Sequence, residues 1–462
     1  MPTPARLPRL AVALAAALLA LPLALPLQAD DGDLDPSFDG GAFTLGWVAG
    51  HARATVLEPL ADGELLVGGV VGDGPGESDG WAVAKLEADG TRELVWSFVF
   101  QIVSAGDETM ATNGYLYDMR RDASERTYLA GAAEAGIDNE LPMLARLEPT
   151  GGLDETFDDN GLLVITDMPA AWDEIETWAA EILSDGRSVF VGNCVHCPLA
   201  DETWVWVTRR LPDGGPDPSF SVDGWHTFRF PAKPYSHPDS VAVDPSGRIV
   251  VGGIDDPIDG DTYFARLTPS GTFDGAFGGG DGIAGPFAAR TVLALALDPS
   301  TGRIASASRL DGDADTGHVY VFTAAGAPDP TFSGDGHVDL DLETGTSIRG
   351  LTFQSDGKLL GVGTINDNGE NLGGFFLARM ATDGALDDSF DDNGVKRIEF
   401  DLVPNGYDSA YAVATMGGRL VAAGLAGGGG GQEQEMAVVR TQNAQIFSDG
   451  FERGSVGGWS GF

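Results

Sequence analysis

The chain has 462 residues, 43% of them hydrophobic and 66 of them glycine, with a formal net charge of −43. That length and apolar content allow an extensive core, and the glycines imply many tight turns. So acidic a surface repels phosphate backbones and anionic membranes, which excludes nucleic acid as a partner.

The first element is an export signal over residues 1–29. Arg6 and Arg9 supply a positive start, Leu10 to Leu25 an apolar run, and Leu27-Gln28-Ala29 a small-residue cleavage site before Asp30. Pro22 and Pro26 interrupt the run, which favours cleavage over a retained anchor. No cysteine lies near the site to carry a lipid, and no later run reaches the ~18 apolar residues of a membrane span. The expected location is secreted or cell-surface, with no transmembrane span after cleavage.

From residue 30 to 441 the chain repeats. The copies are Leu34-Asp35-Pro36-Ser37-Phe38, Leu153-Asp154-Glu155-Thr156-Phe157, Pro216-Asp217-Pro218-Ser219-Phe220, Phe273-Asp274-Gly275-Ala276-Phe277, Pro328-Asp329-Pro330-Thr331-Phe332 and Leu386-Asp387-Asp388-Ser389-Phe390. A worn copy, Leu94-Val95-Trp96-Ser97-Phe98, fills the gap after the first. The phenylalanines stand 60, 59, 63, 57, 55 and 58 residues apart, a spacing of repeat architecture. Each unit also carries a turn before an apolar strand: Asp62-Gly63, Asp122-Ala123, Asp185-Gly186, Ser246-Gly247, Thr301-Gly302, Asp356-Gly357 and Gly417-Gly418. Asp-Gly between apolar runs marks a hairpin, because the turn needs positive φ. A further strand ends in a basic residue at Lys85, Arg146, Arg210, Arg266, Arg379 and Arg440; the fifth unit has Phe322-Thr323 instead.

Four short antiparallel strands per repeat predict an all-β fold, a seven-bladed β-propeller. The first fourth-strand, Ala42 to Trp47, precedes every triplet, and the last triplet lacks one. The N-terminal strand is therefore expected to pair with the last blade and close the ring, with no sheet edge exposed across the closure. The first strand of each triplet should line the channel, and Phe38 and its equivalents should pack between blades.

Residues 354–390, from Gln354-Ser355-Asp356-Gly357-Lys358-Leu359 through Leu377-Ala378-Arg379-Met380 to Leu386-Asp387-Asp388-Ser389-Phe390, carry a pattern that resembles the delta-60 repeat of exported bacterial proteins. The resemblance covers about residues 33–441; the second and fifth copies depart from it. It implies a propeller and names no catalytic residue. Beyond it, residues 442–462, with Ile446 to Gly454 and Trp459, form a separate tail. A sorting or surface-association segment, a strand tucked on the propeller and a remnant without structure are its three readings.

Candidate sites are few. Cys194 and Cys197, spaced C-x-x-C, read as a local disulfide in an exported chain. Asp158-Asp159-Asn160 and Asp391-Asp392-Asn393 are candidate calcium ligands, since calcium takes several oxygens from one flexible loop. The EF-hand pattern is absent, and Asp-Asn-Gly serves a metal-free turn equally well. No other cofactor is indicated. The recurring Arg and Asp (Asp35, Asp154, Asp217, Asp274, Asp329, Asp387) read as structural pairs, because a function would break the symmetry. The six histidines lack metal spacing, and His226 and His337 are expected on the surface. Trp172, Trp178, Trp204 and Trp206 suit packing between blades better than stacking on sugars. No nucleophile elbow occurs.

The chain therefore reads as a monomeric, non-catalytic exported scaffold that binds an extracellular protein or glycan. Its loops 72–80, 255–261 and 366–373 are candidate carriers of specificity. The alternative is a propeller-borne hydrolase or lyase acting on extracellular polysaccharide.

Overall fold

The computed structural model describes residues 34–46, 51–72, 80–99, 114–134, 139–169, 172–195, 197, 202–231, 233–256, 260–288, 291–310, 313–342, 345–367, 372–391, 393–400, 402, 406–416, 419–427 and 434–442. The export signal, the tail, His196 and Asp392 lie outside them. Strand β1 (Ala42–Leu45) comes first in the chain. Blade one follows as β2 (His51–Pro59), β3 (Leu65–Gly72), β4 (Gly80–Leu86) and β5 (Arg92–Val99). Blade two is β6 (Gly114–Arg121), β7 (Thr127–Glu134), β8 (Glu140–Leu147) and β9 (Leu162–Val164). Blade three is β10 (Asp173–Ile182), β11 (Ser188–Val195), β12 (Thr203–Arg210) and β13 (Trp225–Phe228). Blade four is β14 (His237–Val243), β15 (Ile249–Ile254), β16 (Thr262–Leu267) and β17 (Ile283–Phe287). Blade five is β18 (Thr291–Leu297), β19 (Ile304–Leu310), β20 (Asp313–Phe322) and β21 (His337–Leu340). Blade six is β22 (Thr346–Phe353), β23 (Leu359–Asp367), β24 (Leu372–Met380) and β25 (Val395–Ile398). Blade seven is β26 (Ser409–Met416), β27 (Arg419–Ala426) and β28 (Glu435–Gln442), completed by β1.

Seven antiparallel sheets of four strands result, a seven-bladed β-propeller. The closure is the expected one. Ala42 lies opposite Val439 and Leu45 opposite Met436, so the start of the chain supplies the outer strand of the last blade. First strands of successive blades pack side by side, and β26 packs on β2 to complete the circle.

Each interface between blades has its own apolar core. Phe38, Phe43, Val67, Ala84, Val421 and Val438 join blades seven and one; Val362, Phe375, Phe390, Leu420 and Ala437 join six and seven. The motif phenylalanines Phe38, Phe157, Phe220, Phe277, Phe332 and Phe390 are at most 2% exposed. Complete burial of one such ring contributes roughly 1.5–3 kcal/mol. The worn second copy is different: β5 pairs with β4 along its whole length, with Leu94 opposite Lys85, so blade one has a plain hairpin where the other blades carry the motif loop.

The inner strands share one irregularity. Every one is bulged at the same place, with Thr55, Tyr117, Trp178, Asp239, Leu293, Arg349 and Tyr411 as the extra residue. A bulge bends its strand and re-aims its side chains. It also drives the backbone onto the second strand, which explains the glycine there: a Cβ at Gly363 would overlap the carbonyl oxygen of Ser347. Six blades have glycine at this position (Gly69, Gly131, Gly192, Gly253, Gly363, Gly424), and blade five has Ser308.

Candidate functional site at the channel

The recurring charges are architectural. Arg146 donates to Asp154 at 2.7 Å, Arg266 to Asp274 at 2.8 Å and Arg379 to Asp387 at 2.7 Å. In blade three the pairing residue is Arg209, 2.8 Å from Asp217. Arg210, the expected partner, reaches Asp167 instead. Strand alternation explains the difference, because neighbouring residues point to opposite faces. Each arginine also lies over the motif ring, Arg440 over Phe38 at 4.0 Å. Where blade five lacks the arginine, Arg303 from the hairpin turn takes Asp329 at 2.7 Å. Blade one substitutes Lys85 with Glu64 and Glu93.

These aspartates share one electrostatic state. Burial alone would raise the Asp35 carboxyl. Hydrogen bonds from Ser37 and the charges of Arg440 and Arg419 outweigh it and hold the group below its ordinary value. Asp154, Asp217, Asp274, Asp329 and Asp387 are held low by the same balance.

The candidate calcium turns hold themselves closed. Asp158, Asp159 and Asp391 adopt φ of 44°, 60° and 47°. Asn160 Oδ1 accepts from Leu162 N at 2.8 Å, and Asn393 Oδ1 from Val395 N at 2.9 Å. Asp391 receives Lys396 Nζ at 3.0 Å. Among the described residues, two other groups bring three ligand atoms within 4.8 Å: Glu64 with Glu87 and Glu93, and His318 with His337 and Asp339. Lys85 already occupies the first group. Cys194 and Cys197 are joined, their Cα atoms 5.9 Å apart.

Asymmetry appears at the channel. On the inner strands, which pack side by side around the ring, residues before the bulge alternate buried with partly exposed. Blades two to four present aromatics there. Tyr115, 40% exposed, stacks on Tyr117 at 6.1 Å, and Trp178 lies 4.2 Å from the His237 ring. Opposite them in the ring, Arg53 and Arg349 each sit 5.3 Å over Tyr411. Trp206 packs in the core between blades two and three with Trp172 and Trp204 against it, as expected of that aromatic stretch, and Trp225 joins them, edge-on to Trp172.

Past the bulge, ionisable residues occupy blades one to three: Glu58, Asp118, Arg120 and Glu181. The other blades place Ser240, Ala242, Ala294, Ala296, Gly350, Thr352, Ala412 and Ala414 at corresponding positions. Asp118 Oδ2 accepts from Ile182 N, and Glu181 Oε2 from Val243 N, both at 2.6 Å, so each clamps the next blade. Desolvation pushes Asp118 up to about 6. Desolvation, reinforced by the Asp118 charge, pushes Glu181 up to about 8. Burial, with Asp118 beside it, also raises Glu58 although Arg120 pulls the other way.

Two stretches of the chain match a propeller family. Residues 245–277 and 354–390 fit the family model described as a domain of unknown function (DUF5122) β-propeller. No curated protein matches the chain. Among solved structures, a catalytically inactive virginiamycin B lyase from Staphylococcus aureus is 9% identical, covering 86% of this chain and 98% of its own, with a TM-score of 0.46. A polysaccharide lyase, Uly1, is 10% identical over 90% and 94% at 0.44, and an intramolecular trans-sialidase from Ruminococcus gnavus 11% identical over 87% and 96% at 0.42. Such similarities concern shape alone. Fold does not carry activity with it.

Two sets of residues escaped the sequence. The bulge residues carry no common residue type, so no motif announces them. His226 and His337, expected on the surface, are half-buried, and burial lowers both imidazoles. His226 packs edge-on against Phe273 at 5.6 Å. No helix among the described residues is long and apolar enough to cross a membrane.

Proposed function

We propose that this propeller is a non-catalytic binding protein, exported by its first 29 residues, that takes a glycan at the aromatic side of its channel. The observation that carries the reading is the lopsided inner ring. Tyr115, Tyr117 and Trp178 gather on neighbouring blades, with Glu176, His237 and Asp239 as polar neighbours. Aromatic faces beside a few hydrogen-bonding groups suit the apolar faces and hydroxyls of a sugar. A seven-fold structural role would have repeated the same side chains in every blade.

The competing reading is a hydrolase or lyase of extracellular polysaccharide, with Asp118 and Glu181 as its acids. Perturbed carboxyls favour such a role. Their hydrogen bonds to the backbone of the next blade favour a structural one. The deciding experiment is calorimetric titration with an oligosaccharide panel, alongside product analysis. Saturable binding without turnover, lost in Tyr115→Ala and Trp178→Ala, supports the scaffold. Released product, abolished in Glu181→Gln, would replace it with the enzyme.

A further inference from the structure

In blade five the outer hairpin breaks the repeat in a second place. Tyr320 on β20 lies opposite His337 on β21, and His318 lies opposite Asp339. The alternation of strands therefore puts His318, Tyr320, His337 and Asp339 on one face. The two imidazoles converge on one carboxylate oxygen: His318 Nδ1 is 2.7 Å from Asp339 Oδ1, and His337 Nε2 is 2.9 Å from it.

Corresponding positions in the other motif-bearing blades are Met143, Leu162 and Val164, then Trp206, Trp225 and Thr227, then Tyr263, Ile283 and Gly285. Blade six has Phe376, Val395 and Arg397, and blade seven Ala437, Ala42 and Thr44. The first two positions are aliphatic or aromatic in all these blades while the third varies, and blade five alone puts a histidine at both and a carboxylate at the third.

We propose that His318, His337 and Asp339 form a site for a divalent cation of the zinc class. Two imidazole nitrogens and one carboxylate oxygen are the donor set that zinc takes in three-ligand sites, with a fourth position open. Calcium and magnesium prefer oxygen throughout. Ligand atoms around tetrahedral zinc stand about 3.3 Å apart at its usual bond lengths, so the trio opens by about half an ångström to admit the ion. Its atoms already lie within 4.8 Å of one another.

The surroundings fit. His318 is buried, while the Asp339 side chain is 56% exposed, so the site has a fixed wall and an open door. Tyr320 stacks on His337 at 4.3 Å and fixes its ring. Water entering past the exposed Asp339 would take the fourth position. The site is separate from the channel, so it does not rest on the glycan reading.

The test is equilibrium dialysis of the full-length protein against Zn²⁺, with metal quantified per chain, and Co²⁺ as a spectroscopic probe. One equivalent of Zn²⁺, a raised melting midpoint and a visible Co²⁺ band at the wavelengths of a nitrogen-bound four-coordinate ion are expected. His337→Gln and Asp339→Asn should lose all three while melting like the wild type in chelator, which shows them folded. No stoichiometric uptake by the wild type, or uptake unchanged in both variants, overturns the proposal.

Discussion

Arg440 donates its Nε proton to Oδ2 of Asp35 at 2.8 Å, across 405 positions of sequence. It is the pair that other blades make between neighbours eight residues apart, here used to join the two ends of the ring. Arg440 N also donates to Gly41 O at 2.7 Å, and Asp35 N to Arg440 O at 2.9 Å. Closure and repeat are thus the same interaction.

Breaking this pair should be costly. The two side chains are 1% and 0% exposed, and removing one partner of a buried pair destabilises by roughly 3–5 kcal/mol. Asp35→Ala is expected to lower the urea midpoint accordingly. Glu399→Ala, which removes a 60% exposed partner of Arg397, should cost at most about 1 kcal/mol.

The glycine that faces the bulge in six blades should resist substitution. At Gly363 a Cβ meets backbone that has nowhere to go, whereas at Gly361 the nearest atom is the Ile348 side chain at 3.4 Å. Gly363→Ala is expected to cost several kcal/mol, beyond the roughly 1–3 kcal/mol of ordinary overpacking. Gly361→Ala should be near neutral. Paired thermal melts decide it.

Stability should fall on both sides of about pH 5. Asp118 and Glu181 have ordinary values of 3.8 and 4.5 and sit at about 6 and about 8 in the fold. Between those limits the folded chain holds protons that the unfolded chain has released, so stability declines as pH rises through the window. The motif aspartates, held low, act in the opposite sense: their contribution is present above about pH 4 and is lost as pH falls through their folded values. Melting curves from pH 2 to 9 should show this peak, and Glu181→Gln should flatten its alkaline side.

Calcium removal should change nothing. Asn160 and Asn393 spend their side-chain oxygens on the backbone two residues ahead, and Asp391 holds Lys396. Chelator-treated protein is expected to melt at the same midpoint with and without added calcium; a rise on adding calcium would restore the turns as calcium sites.

The ring was legible because its determinants are local and repeated. A phenylalanine every ~58 residues and a glycine in six of the seven hairpin turns report directly on what the blades must bury and bend. Even the closure could be read, since one strand precedes the first triplet and one is missing from the last. Blade one departs from the repeat as its worn copy announced, with a plain hairpin in place of the motif loop, whereas Arg210 misled because one residue of register reverses the face. The channel and the His318–His337–Asp339 group stayed hidden for another reason. Histidines 19 residues apart show no metal spacing, and only the pairing of β20 with β21 brings them together. Sites made by register rather than by motif leave no local signature.

The most direct test of the closed ring is a cross-link across its seam. Thr44 and Ala437 lie opposite each other in β1 and β28, so Thr44→Cys with Ala437→Cys should form a disulfide within each molecule, leaving the terminal peptides linked after proteolysis until reduced. Thr44→Cys combined with Ala82→Cys, on different blades, should not. Failure of the first pair to form, or its formation only between molecules, would contradict a ring closed by its own N-terminal strand.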